Sequence, residues 1–266
     1  MALFSLCLPG ADKKQDETTP ANYNIPLWEA GKVPLADGTG PLDNPFLTVF
    51  QPPAGKRNGS SVIIAPGGSN IMLMYGAEGV DIAERYNEWG VTAFVLTYRL
   101  SPKYRADARL LDGKRAVQLV RSRAAEWKLD PTKIGFAGFS AGSEAVRAVV
   151  ADTAEHNPNA ADPLERVSAR PDYIVLVYSA GRATKDEQFK NYPPSFLLSA
   201  AADRGPANAL AQLFIELNRA GAVSELHIYQ KGRHGFGAAF ASPAFSPWMD
   251  ALRHFLIQGG FIPEAK

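Results

Sequence analysis

The sequence predicts an α/β fold with a mostly parallel central sheet and helices on both faces. Three observations carry this expectation. Apolar runs recur at residues 61–65, 92–98, 133–138, 172–178 and 195–201 with little alternation, the pattern of strands buried on both faces. Helix-length segments fall between them at 76–89, 106–127, 141–152 and 207–220, and strands alternating with helices form a parallel sheet through crossover connections. No internal repeat or low-complexity linker interrupts the alternation, so residues 21–266 are expected to form one domain behind a flexible arm at 1–20.

Taken in order, the first residues are apolar but short, with no basic residue ahead of them. That makes a poor secretory signal, so a cytoplasmic location is the default and a trimmed leader the alternative. The polar stretch around Lys13, Lys14, Asp16 and Glu17 reads as a mobile arm. Pro26, Gly31, Pro34, Gly38, Gly40, Pro41 and Pro45 make residues 21–45 extended or turning chain on the surface. A strand is expected at 46–51, then the alternating elements above, a last strand at 225–229 and a terminal helix at 247–257. The short chain between Tyr178 and Ser195 leaves no room for a large cap domain over the carboxyl ends of the strands. In such sheets those ends hold the working residues.

Composition narrows the function by exclusion. Of 266 residues 46% are hydrophobic and 21% charged, and the net charge of +1 supplies no field for nucleic acid or an anionic membrane. No apolar run is long enough for a membrane-spanning helix. The single cysteine, Cys7, excludes an internal disulfide and a cysteine-based zinc cluster. No metal or organic cofactor is called for.

Gly138, Phe139, Ser140, Ala141 and Gly142 fit G-x-S-x-G, the tight strand-to-helix turn that exposes a nucleophilic serine. The pattern gains weight from its context, with a strand ending at Gly138 and a helix starting near Ala141. A serine hydroxyl needs a base, and the chain has four histidines. His156 lies in a loop, His254 in the terminal helix and His227 within a strand. His234 follows the last strand in a glycine-rich turn and is the candidate base. Asp152, Asp162, Asp172, Asp186 and Asp203 lie between Ser140 and His234, but only Asp203 directly follows the carboxyl end of a strand. Asp203 is therefore expected to orient His234, with helix N-capping as its competing role. Two further donors belong beside the serine: the amide of Ala141, and one from the loop of Gly67, Gly68, Ser69 and Asn70, with Gly68 and Ser69 the best placed. Asn70, Tyr75 and Phe139 are candidate substrate contacts. Met72 and Met74 are pocket-lining or core residues. Trp89, Trp127 and Trp248 are expected to pack, and Arg109, Arg121 and Arg123 to form a solvated face.

Together these residues resemble the α/β-hydrolase esterases, in particular the acetyl-xylan-esterase-like and feruloyl-esterase-like branch, related to the hormone-sensitive-lipase-like esterases. The opening Ile25, Pro26, Leu27 and Trp28 with Gly31 and Pro34 is similar to that branch, as are Tyr98 to Pro102, then Asp112, Arg115, Asp130, Pro131 and the elbow. Later blocks at 168–172, 225–229 and 234–237 complete the resemblance from about Ile25 to Phe261. It implies a triad of Ser140, Asp203 and His234, the residues the strand-end rule also selects, and an oxyanion hole of Gly68, Ser69 and Ala141. The chain departs from the family pattern at Ser69 and Asn70, where a third glycine and an aromatic are common, and at Ser143, where a glycine commonly closes the elbow. The implied activity is hydrolysis of short acyl esters through an acyl-enzyme, with small-molecule or oligosaccharide esters as substrates. A general short-chain carboxylesterase or lipase is the alternative, and a catalytically silent binding protein of the same fold the reading from another class.

Overall fold

The computed structural model describes residues 22–152, 156–181, 188–239 and 247–264; the expected arm at 1–20 and Asp186 lie outside them. The chain runs β1 (Asn22–Pro26), β2 (Phe46–Phe50), β3 (Ser61–Ala65), α1 (Asp81–Glu88), β4 (Thr92–Thr97), α2 (Ala106–Ser122), β5 (Ile134–Phe139), α3 (Ala141–Ala151), β6 (Tyr173–Val177), β7 (Ser195–Ala200), α4 (Arg204–Arg219), β8 (Ser224–Tyr229) and α5 (Pro247–Gln258). The strands form one sheet in the order β1-β2-β4-β3-β5-β6-β7-β8. From β4 to β8 the neighbours are parallel, and β2 pairs antiparallel with both β1 and β4.

This order places the site. The chain leaves β3 for β4 on one side and returns to β5 on the other, so the loops after β3 and β5 diverge across a crevice at the carboxyl ends of the strands. Alternate residues serve opposite faces, as the two-residue period of a strand requires. Ile63, Phe94, Phe136, Ile174 and Leu197 point into one core with Val117 of α2, Val146 of α3 and Leu213 of α4. Val62, Ile64, Val95, Val175 and Leu198 point into the other with Ile82 of α1 and Trp248, Leu252 and Phe255 of α5. Every residue of β3, β6 and β7 is buried, which is why their sequences show no polar alternation. No helix among the described residues is long and apolar enough to cross a membrane.

Three expectations need correction. Residues 22–26 form an edge strand rather than surface chain, with Ile25 and the following Leu27 in the core. Two asparagines and a terminal proline hid it, and proline is tolerated at an edge because its missing N–H faces no neighbour. The helix expected at 106–127 ends at Ser122, and a 3-10 turn at Ala124–Trp127 follows. That tightening seats the Trp127 ring edge-on to Phe94 at 5.0 Å, with its indole N–H donating to the Tyr23 hydroxyl at 2.7 Å. Arg121 is no part of a solvated face. Its guanidinium pairs with Asp172 at 2.8 Å and donates to the carbonyls of Ser168 and Pro131, its stem covering apolar surface on the way.

Buried charges fasten the amino-terminal segment to the sheet, Arg115 through the Leu27 carbonyl at 2.8 Å and Arg99 through a wider network. Arg99, just past β4, is fully buried with Asp112 of α2; its Nη2 lies 2.7 Å from Oδ1, and its backbone N–H donates to Oδ2 at 2.9 Å. The guanidinium also donates to the carbonyl of Pro34 and lies against the rings of Trp28 at 5.5 Å and Tyr104 at 5.1 Å. Removing one partner of such a pair strands the other without water. Asp112→Ala is therefore expected to lower unfolding free energy by about 3–5 kcal/mol in urea titrations, whereas Asp112→Leu combined with Arg99→Met recovers most of the loss. A cost for Asp112→Ala below about 1 kcal/mol, the range of a surface pair, would contradict this role.

Candidate active site

Ser140 sits between β5 and α3 at φ +49° and ψ −118°, a region nearly closed to residues with a side chain. The surroundings hold it there. Its N–H donates to Val177 O at 3.0 Å, and its carbonyl accepts both the N–H of Ser143 at 3.0 Å and the Ser143 hydroxyl at 2.5 Å. Gly142 permits the turn by having no side chain: a Cβ there would lie 2.0 Å from the Ala65 carbonyl oxygen at the end of β3. Ser140 thus stands at the amino terminus of α3, where free N–H groups and the helix dipole favour developing negative charge.

The Ser140 hydroxyl lies 2.7 Å from His234 Nε2, and His234 Nδ1 lies 2.8 Å from Asp203 Oδ2. His234 occupies a turn between Gly232 at φ +123° and Gly235 at φ +87°, and its side chain is 48% exposed. Asp203 stands at the N-cap position of α4, yet its side chain makes no capping bond. Its carboxylate faces the imidazole instead. That contact keeps the proton on Nδ1 and leaves the Nε2 lone pair toward the serine hydroxyl.

The competing residues are engaged elsewhere. Asp152 pairs with Lys114 at 2.6 Å, Asp162 caps the turn at Leu164 and pairs with Arg115, and Asp172 holds Arg121 and the N–H of Ile134. His227 bonds Glu225 at 2.5 Å and stacks on Phe196, while His156 and His254 are exposed away from this crevice.

Gly67, Gly68, Ser69 and Asn70 run along the elbow, so close that a Cβ on Gly67 would lie 2.9 Å from the Cβ of Ser140. Gly68, Ser69 and Asn70 have φ of +131°, +56° and +61°. Among the described residues no acceptor engages the N–H of Gly68 or Ser69, and Ala141 is the first residue of α3. The candidate substrate contacts divide. Asn70 is at the crevice, where its amide donates to Glu144 at 3.0 Å and its carbonyl accepts the N–H of Ser101 at 2.7 Å. Tyr75 commits its hydroxyl to Thr48 at 2.5 Å and packs half-buried against the core. Phe139 is 1% exposed and meets Tyr178 and Trp248 edge-on; it is core beneath the elbow, because its strand position points it at α5. Ser143 is likewise fully buried, so its replacement of a glycine serves the elbow rather than a pocket. Met72 and Met74 are exposed, at 55% and 45%, and with Ile71 make an apolar rim beside the glycine loop.

Sequence reasoning missed two residues here. Glu78 is buried in a π turn at Gly76–Val80 where a plain helix was expected. Its Oε2 accepts the Gly67 N–H at 2.7 Å, and its Oε1 accepts the Tyr178 hydroxyl at 2.5 Å. Burial pushes the Glu78 carboxyl above its ordinary range, and its two donors oppose that rise. Burial, reinforced by Glu78, drives the Tyr178 phenol well upward as well. Tyr178 directly follows β6, so the strand-end rule contained a signal for it. A glutamate on an expected amphipathic helix gives none.

The family model for the alpha/beta hydrolase fold matches residues 67–212, more than half of the chain. The chain belongs to the α/β-hydrolase fold family. Within it, the chain is similar to the acetyl ester-xyloside bifunctional hydrolase of Caldicellulosiruptor lactoaceticus, whose crystal structure superposes with a TM-score of 0.82 at 31% identity, over 91% of this chain and 97% of that one. It is 25% identical to an acetylxylan esterase of Xylanibacter ruminicola over 68% of this chain, and 28% identical to endo-1,4-beta-xylanase B of Butyrivibrio fibrisolvens over 89%. The chain spans about two fifths of the length of these two curated relatives, 42% and 41%.

The tight seat of α3 on β3 gives a direct test. Gly142→Ala is expected to cost about 1–3 kcal/mol of stability by overpacking and to slow fluorophosphonate labelling of Ser140. Unchanged labelling and an unchanged melting temperature would show that the backbones approach less closely.

Proposed function

We propose that this protein is a serine ester hydrolase that works through an acyl-enzyme on short, acetyl-type esters of carbohydrates. The observation that carries the chemistry is the continuous line from Ser140 Oγ through His234 to Asp203, at 2.7 and 2.8 Å. In the first step Ser140 Oγ attacks the ester carbonyl carbon while its proton passes to His234 Nε2. The carbonyl oxygen becomes an oxyanion facing the N–H groups of Ala141, Gly68 and Ser69. The tetrahedral intermediate collapses, breaking the bond to the alcohol oxygen, which leaves with the proton from Nε2. Water then attacks the acyl-enzyme with His234 again as base, and release of the carboxylic acid restores Ser140. Asp203 stabilises the imidazolium through both steps without taking its proton.

The carbohydrate part rests on the relatives, one named an acetylxylan esterase and another an acetyl ester-xyloside bifunctional hydrolase. The half-exposed His234 agrees with a crevice that admits a bulky alcohol. A second reading, a general short-chain carboxylesterase, is favoured by the exposed apolar rim of Ile71, Met72 and Met74.

Purified protein is expected to release acetate from acetylated xylan and xylo-oligosaccharides and to prefer p-nitrophenyl acetate to longer chains. Turnover of simple esters with none on acetylated saccharides would favour the second reading. Ser140→Ala is expected to lower kcat by roughly a thousandfold or more and to abolish fluorophosphonate labelling. Equal labelling of Ser140→Ala would refute the serine mechanism.

A further inference from the structure

The glycine loop and the imidazole are the two parts of the site that must keep their places during reaction, and one buried carboxyl group reaches both. Glu78 Oε2 holds the Gly67 N–H at 2.7 Å, one residue before the two free amides of the loop. Its Oε1 takes the Tyr178 hydroxyl at 2.5 Å, and the Tyr178 ring lies 4.9 Å from the His234 ring, tilted by 56°. The same tyrosine packs on Phe236, two residues beyond His234, at 5.8 Å. The π turn carrying Glu78 also packs on the 3-10 turn that begins at Phe236. Glu78 therefore touches the loop directly and the imidazole through one ring.

We propose that Glu78 and Tyr178 are a buried positioning pair, in which Glu78 fixes the glycine loop and, with Asp203, forms the second of two carboxylates that stabilise the His234 imidazolium. The proposal rests on Ser140, His234 and Asp203 being the working triad. An N–H can only donate, so Oε2 is an acceptor by necessity; with Tyr178 donating to Oε1, both oxygens accept, the bonding of a carboxylate. The ionisable groups acting on this cluster are Tyr178 and His234 on Glu78, Asp203 and Glu78 on Tyr178, and Tyr98, whose hydroxyl donates to Pro66 O at 2.7 Å at the base of the same loop. Among them His234 is the one whose protonation adds positive charge. A buried carboxylate acts on an imidazolium across several ångströms, and the solvent on the exposed half of His234 screens part of that action.

The decisive measurement needs no catalysis. Histidine side-chain NMR follows the titration of His234 in Ser140→Ala and in the same protein carrying Glu78→Gln. The added substitution is expected to lower the His234 midpoint by roughly half a pH unit, because it removes a negative charge while nearly preserving shape. An unchanged midpoint overturns the proposal whatever the loss of rate, since a merely structural role does not move the imidazole. With Ser140 present, Glu78→Gln and Tyr178→Phe are each expected to lower kcat on p-nitrophenyl acetate by about ten- to a hundredfold, with KM within about threefold. Wild-type kcat in both variants also overturns it. Should Glu78→Gln fail to fold, Tyr178→Phe keeps the ring packing and removes only the hydroxyl; in the Ser140→Ala background it must lower the His234 midpoint too, through a Glu78 that is less often ionised. An inert wild-type protein whose His234 still responds to Glu78→Gln would refute the ester-hydrolase reading and leave the coupling standing.

Discussion

The close backbone approach of α3 to the end of β3, with Gly142 against the carbonyl of Ala65, is the contact on which the site depends. It brings the start of one helix and the loop after a neighbouring strand to the same place, with a Cβ on Gly67 falling 2.9 Å from the Cβ of Ser140. It also sets the strain: a serine at φ +49° and ψ −118° stays there only because flanking elements leave it no alternative. Ser143 adds to that restraint. Its hydroxyl donates to the Ser140 carbonyl, which a helix start would otherwise leave with a single partner. A glycine at that position lacks this bond, so the departure at Ser143 exchanges flexibility at the elbow for a fixed carbonyl.

Strain at one point must be supported by rigidity around it. Two devices supply it on opposite sides of the sheet. On one face, Arg99 and Asp112 join the end of β4, helix α2 and the segment of Trp28 and Pro34 in one buried network. On the other, Phe139, Tyr178 and Trp248 meet edge-on directly beneath the elbow. Buried ion pairs contribute little net stability compared with apolar packing, but breaking their arrangement by removing one partner is costly. Here that arrangement places the loop at Ser101, whose N–H holds the Asn70 carbonyl, and so fixes the far end of the glycine loop. Asn70 spans from that loop to Glu144 on α3. Its place in the family pattern marks it as a pocket residue, and its bonds mark it as a brace.

The parallel sheet, the helices and the meeting of Ser140, His234 and Asp203 were legible because each rests on local rules. Uniform burial writes an apolar run, a tight strand-to-helix turn demands glycine, and the ends of parallel strands gather at one edge. What could not be read depends on neighbours far away in sequence. Edge strand Asn22–Pro26 carries two asparagines because only one of its faces meets the core, and five residues are too few to display a period. The inward turn of Arg121 depends on Asp172 and two loop carbonyls that the sequence places nowhere near it. Phe139 adjoins Ser140 in the chain, but a strand sends adjacent side chains to opposite sides, and the core took it. Glu78 is the clearest case. Nothing local distinguishes a glutamate that faces water from one held by a glycine N–H and a tyrosine hydroxyl, and the two glycines of Gly76–Val80 do not by themselves specify the π turn that aims it inward.

The arrangement of charge around Ser140 follows one logic. The reaction proposed here creates a negative oxygen on one side of the serine and a positive imidazole on the other. On the oxygen's side stand neutral N–H groups and the amino end of α3, which attract negative charge without carrying a competing counter-ion. On the imidazole's side stand Asp203, bonded to Nδ1, and Glu78, screened from direct contact by the Tyr178 ring. Glu78 is the member that stands against this logic, since a carboxylate beneath an oxyanion loop would repel the oxyanion. Its bonds resolve the conflict. One oxygen takes the Gly67 N–H, which is thereby withheld from substrate, while Gly68 and Ser69 keep their amides free. The other is capped by Tyr178, on the side of the imidazole. In the proposed mechanism the loop thus uses its first amide to anchor itself and offers its next two to the oxyanion, and the anchoring charge lies on the side where positive charge develops.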